Sequence, residues 1–315
     1  MNMIKTLRQS IPFLQNAIEI EIIHKGFSSD VKYVVYFKQG EKYLLRTADL
    51  NLFSRKAEEF HLLSTLHKMQ VNSPKPIKIG EVAELEKCYY LLSYIEGEDA
   101  RDLLPFYRNI VQYEIGLEAG ADLKKINSIH APISIGPWYE RKMKKYKAYL
   151  ETYKTCGIKI KEDHKLIAFI DKHVHYLKER PSQFLHDDFH VGNLIVKDEK
   201  YAGVIDFNRF DWGDPYFEFI KVGLFSREVS IPFSVGQIQG YFNDNIPNDF
   251  WQLYSVYLAM ELLSAVVWTK KVVPEKLTDM FERIEMILED HKGFELIIPT
   301  WYSEYNKESD IEISN

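Results

Sequence analysis

The chain has 315 residues, 46% of them hydrophobic and 14% aromatic, enough to bury a core in one large domain or two lobes. A formal net charge of -6 and a pI near 6.0 leave no basic field for nucleic acid or anionic lipid, so neither is expected as a partner. Two cysteines, Cys88 and Cys156, lie outside any CxxC or Cys/His metal spacing, which argues against a disulfide framework and suits reduced thiols in the cytoplasm.

Met1 to Ser10 lacks the charged, apolar, then small order of a signal peptide. Strand signals follow. Val31–Phe37 is rich in β-branched and aromatic residues, Lys38-Gln39-Gly40-Glu41 makes a turn, and Tyr43–Arg46 resumes the strand. Phe53, Ala57, Phe60, Leu63 and His67 recur at helical spacing until Ser73-Pro74-Lys75-Pro76 ends the pattern. Two more strand-like runs occupy Ile77–Ile79 and Tyr89–Ile95, giving a β-β-α-β-β lobe that ends at the Glu96-Gly97-Glu98 connector.

Helical patterns then dominate, with Ile115, Ala119, Leu123 and Ile126 on one face. Arg141–Lys147 reads as a basic, solvated helix face. Further helices are expected at Lys165–Lys178, Phe250–Trp268 and Leu277–Leu288. Tyr254–Trp268 is the longest apolar run, but Glu261 interrupts it and it reads as a buried helix. The fold class is therefore α+β: a small antiparallel lobe with one helix over residues 1–96, a larger and mainly helical lobe over 97–302, and a polar acidic tail at 303–315 expected to lack structure.

The stretch Phe184–Phe219 carries the chemistry. Leu194-Ile195-Val196 and Gly203-Val204-Ile205 flank the polar turn Lys197–Lys200, a hairpin pattern. Asn193 precedes the first strand and Asp206 follows the second, so the two ends should meet as a hard-oxygen pair suited to Mg²⁺. Asp188 stands in the loop leading there and is left to meet a substrate hydroxyl. Each residue alone reads as an ordinary turn or cap. Together they are the set phosphoryl transfer needs, a metal to neutralise phosphate oxygens and an Asp to orient the attacking hydroxyl.

The run His186-Asp187-Asp188-Phe189-His190-Val191-Gly192-Asn193, with Ile205-Asp206-Phe207 and Gly213-Asp214-Pro215, resembles the signature of the aminoglycoside phosphotransferase family. The resemblance extends from about residue 20 to about residue 300 and implies the two-lobed protein-kinase-like fold, residues 1–96 being the nucleotide-binding lobe. It implies Asp188 as catalytic base, Asn193 and Asp206 as Mg²⁺ ligands, and His186 and Asp214 as supports of the loop. Arg46 falls at the family's phosphate-holding strand lysine, with Glu59 its helix partner and Glu58 second. Ser93 and Ile95 fall at the interlobe hinge, where backbone groups meet the nucleotide base. Ser28, within His24–Asp30, falls in the loop that covers the phosphates.

The chain departs from that pattern at Arg46, at Asp187 where a glycine is usual, at the single Gly26, and at Asn127 where many relatives carry histidine. The resemblance implies a kinase that moves the γ-phosphoryl of ATP or GTP to an aminoglycoside-like acceptor. Other antibiotics, choline-like or homoserine-like alcohols and sugars are alternatives, as is a kinase-like protein that only binds a nucleotide or drug. A cationic acceptor would call on Asp211, Glu218 and Glu261, or on Asp244, and Trp212, Trp251 and Trp268 are candidate stacking surfaces. The oligomeric state is not written in the sequence.

Overall fold

The computed structural model describes residues 3–24 and 30–313. The chain divides into two units, Met1–Gly97 with Ala202–Asn208, and Glu98–Tyr201 with Arg209–Asn315. The short return of Ala202–Asn208 to the first unit departs from a simple boundary at residue 96. The Val204 amide donates to the Asn72 carbonyl at 2.8 Å, which ties this segment to the first unit by backbone.

In the first unit, α1 (Met3–Ser10) precedes β1 (Glu19–Ile23), β2 (Val31–Tyr36) and β3 (Lys42–Asp49). Then come α2 (Phe53–Lys68), β4 (Pro76–Val82) and β5 (Lys87–Ser93). The sheet is antiparallel, in the order β1-β2-β3-β5-β4. Alternation along the strands sorts its two faces. Tyr33, Val35, Leu45 and Leu91 turn to a core closed by Leu7, Ile11 and Leu14 from the N-terminal segment. The intervening residues fall on the other face, where the register aligns Lys32 with Arg46 and Arg46 with Tyr90. That row of polar residues across three strands is where α2 brings Lys56 and Glu59. Strand β1 and helix α1 have weak sequence signals, the strand alternating acid with isoleucine and the helix being short.

The second unit opens with β6 (Glu98–Asp99), α3 (Ala100–Leu103), α4 (Asn109–Ile126), α5 (Trp138–Thr155) and α6 (Asp163–His173). Next are β7 (Gln183–Leu185), β8 (Leu194–Lys197), β9 (Lys200–Val204), whose last three residues belong to the first unit, and β10 (Asp211–Gly213). Helices α7 (Ile231–Phe242), α8 (Phe250–Val272), α9 (Leu277–Asp290) and α10 (Thr300–Ile313) complete the chain. The tail expected to lack structure is helical through residue 313; Trp301 and Tyr302 are buried and start that helix.

Helices α4 and α7 meet backbone to backbone. A Cβ on Gly120 would lie 2.2 Å from the Gln237 carbonyl oxygen, and one on Gly240 would lie 2.2 Å from that of Leu117. Gly116 and Gly236 repeat the arrangement one turn away, so no larger residue fits this seam. Helix α8 is long and apolar enough to cross a membrane by length and composition, but 83% of its apolar window is buried inside the protein. It is the core helix of this unit.

Candidate active site

In the second unit, β7 leads into the loop His186–Asn193. Its antiparallel pairing with β10 sets Leu185 opposite Asp211. Asn127, buried at the end of α4, donates Nδ2 to the Phe184 carbonyl at 2.7 Å and so pins this strand. Asp187 then adopts φ +60°, the left-handed region a glycine takes freely and Asp tolerates better than most side chains. Its amide donates to both Glu218 oxygens, at 3.3 and 3.2 Å, and the His186 amide also donates to Glu218 Oε1.

Asp188 is held from several sides. Asn193 Nδ2 donates to its carbonyl at 2.9 Å and to Oδ2 at 3.1 Å. Its own amide donates to His186 Nδ1 at 3.2 Å. His190 Nδ1 accepts from the Gly192 amide at 3.0 Å, which leaves the ring proton on Nε2, 3.4 Å from Asp188 Oδ1. Lys221 Nζ lies 3.4 Å from the same oxygen, just ahead of a π-helical turn at Val222–Ser226. Burial acts to raise the Asp188 pKa, but His190, Lys221 and Arg209 outweigh it and hold the carboxyl well below the usual range. Burial likewise keeps His190 below its ordinary value.

Asp214 braces the other end of this region. Arg180 grips it with Nε at 2.8 Å and Nη2 at 3.0 Å, and the Tyr257 hydroxyl donates to it at 2.8 Å. Asp214 in turn caps the turn Pro215–Phe219 by accepting from the Tyr216 amide at 3.2 Å, which sets the depth of Glu218 below the loop.

Of the acids that the sequence suggests for a cationic acceptor, Glu218, Asp211 and Glu261 are already engaged. Glu218 is only 1% exposed and supports the loop from beneath, so it lines no acceptor surface. Burial and the neighbouring Asp187 push its carboxyl up to about 8 although two amides pull it back. Asp211 pairs with Arg141 at 3.3 Å and Glu261 with Lys142 at 3.7 Å. Asp244 is exposed, beyond the end of α7. Arg141–Lys147 is not wholly a solvated face, since Lys142 is buried over the Phe217 ring at 3.8 Å. Burial lowers its ammonium to about 8 despite Glu261. Trp212 and Trp251 belong to the core, while Trp268 is half-buried under Arg209.

In the first unit, Arg46 Nη2 lies 2.9 Å from Asp30 Oδ2, and its Nη1 lies 3.0 Å from Asp206 Oδ1 and 3.8 Å from Glu59 Oε1. Glu58 faces outward to Arg55. Lys56 Nζ approaches Asp30 at 2.7 Å and Glu59 at 3.6 Å, and the Tyr90 hydroxyl donates to Asp30 at 3.0 Å. Lys32 Nζ reaches Asp206 Oδ2 at 3.1 Å. Asp206 sits at φ +69°. Burial would raise its pKa, but Arg46 and Lys32 outweigh that and keep it ionised.

Ser93 does not offer a free amide at the hinge. Its N–H donates to the Lys75 carbonyl and its hydroxyl accepts from the Lys75 amide, both at 2.8 Å, because β5 still pairs there. Ile95 follows outside the strand, and Ser28 lies outside the described residues. The sequence reading misses Asp30, Lys32, Lys56, Lys142 and Lys221. Lys56 has a visible signal, one helical turn before Glu59, whereas Lys221 sits in a short helical step ahead of the π-helical turn, with no periodicity to single it out.

Mg²⁺ prefers hard oxygen donors. The Asn193 amide nitrogen is committed to Asp188, which leaves the amide oxygen as its ligating end, and the ionised Asp206 carboxylate is of the same donor class. His186 and His190 are occupied in loop hydrogen bonds. Among the described residues no group of three His, Cys, Asp or Glu is gathered as a transition-metal site would need.

The model of the phosphotransferase enzyme family, APH, matches residues 19–253. The chain belongs to the phosphotransferase enzyme family. It is accordingly a phosphotransferase acting on an alcohol group. Several solved aminoglycoside phosphotransferases share its kinase-like fold. The GDP complex of wild-type aminoglycoside 2'-phosphotransferase-IIIa is 12% identical over 90% of this chain and 96% of that chain, with a TM-score of 0.67. The GDP and kanamycin complex of APH(2")-IIIa is 11% identical over 90% and 97%, with a TM-score of 0.68. ADP-bound APH(2'')-Ib is 13% identical over 90% and 98%, with a TM-score of 0.61. No curated protein matches the chain.

Proposed function

We propose that this small-molecule kinase moves the γ-phosphoryl group of ATP or GTP onto a substrate hydroxyl, with Asp188 as its base. The observation that carries the reading is the hold on Asp188. Asn193 fixes it through carbonyl and carboxylate together, and His190 and Lys221 keep it ionised. A carboxylate held so low accepts a proton poorly at first. It orients the hydroxyl, and the proton passes to it as the new O–P bond forms and the bond to the nucleoside diphosphate breaks.

Asn193 through its amide oxygen and Asp206 through its carboxylate would hold Mg²⁺. When bound, the ion neutralises the phosphate oxygens. Arg46 supplies a permanent, forked cation for phosphate where the family's lysine would be a point charge. Asp30 and Glu59 keep that fork in place.

The kanamycin bound in one solved relative puts aminoglycosides first among acceptors to try. The pairing of Asp211 and Glu261 with cations, and the burial of Glu218, favour a second reading with another small alcohol. The test is release of ADP or GDP by the purified chain with Mg²⁺ against aminoglycosides, other antibiotics and small metabolic alcohols, with Asp188→Asn alongside. Acceptor-dependent release that the variant lacks supports the kinase. Release that Asp188→Asn retains removes Asp188 as base.

A further inference from the structure

The π-helical turn Val222–Ser226 is fixed on one side and aromatic on the other. It is wound wider than an α-helix, with the Arg227 amide donating to the Val222 carbonyl, five residues back, at 2.9 Å. Val222, Gly223, Leu224 and Ser226 are buried. A Cβ on Gly223 would lie 2.6 Å from the Tyr254 hydroxyl, so the turn lies close against α8 and has no room to roll. Phe225 alone of the five is half-buried and faces outward.

The Phe225 ring meets both groups that reach Asp188 Oδ1. The His190 ring packs on it with centroids 4.9 Å apart and planes tilted by 45°, and Lys221 Nζ lies 5.7 Å from its centroid. His190 Nε2 and Lys221 Nζ each stand 3.4 Å from Asp188 Oδ1. Arg283 of α9 also stands over the ring, at 5.5 Å, and is held there by Glu228, whose carboxylate lies 2.7 Å from its Nε. All of these residues belong to the second unit.

An imidazole can turn about its side-chain bonds, and a lysine ammonium ends a flexible four-carbon stem, so neither holds a carboxylate in one geometry unaided. A ring packed against both removes that freedom. Its face attracts the ammonium, and its flat bulk leaves the imidazole one orientation, the one that points Nε2 at Asp188. An aliphatic side chain of similar size would cover the same surface but would offer the cation no π face. We propose that Phe225 is a positioning residue of the phosphoryl transfer, acting on Asp188 through His190 and Lys221. The proposal rests on the reading of Asp188 as base.

The test compares Phe225→Leu, which keeps an apolar cover, with Phe225→Tyr, which keeps the ring, in the full chain with Mg²⁺. A melting curve checks that each variant folds. Phe225→Leu should lower kcat about tenfold or more while the nucleotide KM stays within about twofold, and Phe225→Tyr should stay within about threefold of wild-type kcat. Wild-type kcat in Phe225→Leu, or a folded Phe225→Tyr that loses as much as Phe225→Leu, overturns the proposal. A second measurement needs no turnover. Crystal structures of the wild type and Phe225→Leu should show His190 Nε2 or Lys221 Nζ withdrawn from Asp188 Oδ1 beyond about 4 Å in the variant. Both groups still in place there overturn the positioning role, and this comparison decides alone if no acceptor supports turnover. Asp188→Asn tests the kinase reading by itself, because turnover that survives it removes Asp188 as base without altering what the crystal structures show.

Discussion

Asn193 Nδ2 donates to the Asp188 main chain at 2.9 Å and to its carboxylate at 3.1 Å, so one amide sets both the course of the loop and the rotation of the side chain. Removing it in Asn193→Ala should lower kcat by about 10²-fold through misplacement of Asp188. Asp188→Asn removes the proton acceptor itself and should cost about 10²–10⁴-fold. Nucleotide binding measured by calorimetry should persist in Asp188→Asn, and steady-state rates separate the two effects.

Lys221 should govern the acid side of the pH profile. Asp188 has a folded pKa below its unfolded value of about 3.9, so it adds stability above that value and loses it as pH falls through the folded one. Lys221→Met removes one cation and raises the Asp188 pKa. The acid limb of kcat/KM should then move to higher pH, and an unmoved limb would show that Lys221 does not set the base.

Glu218 has the opposite sign. Its carboxyl, pushed up to about 8, binds a proton in the folded state that the unfolded chain has released above about 4.3. Stability should therefore fall as pH rises between those values, by about 1.4 kcal/mol per pH unit from this group. Denaturant titrations at several pH values should show Glu218→Gln without that slope. Glu218→Ala leaves the His186 and Asp187 amides unpaired and should destabilise by about 1–3 kcal/mol at any pH.

Arg46→Ala should be far more damaging than a surface change. Asp30 and Glu59 are buried beside Arg46 and would be left with Lys56 alone to balance both, a loss of up to about 3–5 kcal/mol. Arg46→Lys keeps the charge, but one ammonium cannot spread it over Asp30 and Asp206 as two guanidinium nitrogens do. Chemical denaturation should place the lysine variant between the alanine variant and the wild type.

Legibility in the sequence followed local pattern. The strands that alternate, β2 and β3, and the helices with apolar spacing, α2, α4 and α8, stand near where periodicity puts them. The hairpin flanked by Asn193 and Asp206 was readable from its turn. What failed depended on non-local partners. Glu218 looks like any acid near a motif until the loop is seen resting on it. Lys142 looks solvated among the four other charged residues of 141–147 until the Phe217 ring covers it. The glycine pairs of α4 and α7 repeat every fourth residue, but only the facing helix gives that spacing meaning.

The row across β2, β3 and β5 has a consequence for nucleotide entry. Lys32, Arg46 and Lys56 balance Asp30, Glu59 and Asp206 one for one. On the proposed reading, phosphates arriving there would find these three cations already paired and would have to trade places with carboxylates, so association would be an exchange with little net gain of charge contact. If Asp206 holds a divalent ion, as proposed, Lys32 and one arm of Arg46 would be freed for the newcomer. Metal-free nucleotide would have to win those cations unaided, so the proposed kinase should take up the magnesium salt in preference to the bare anion.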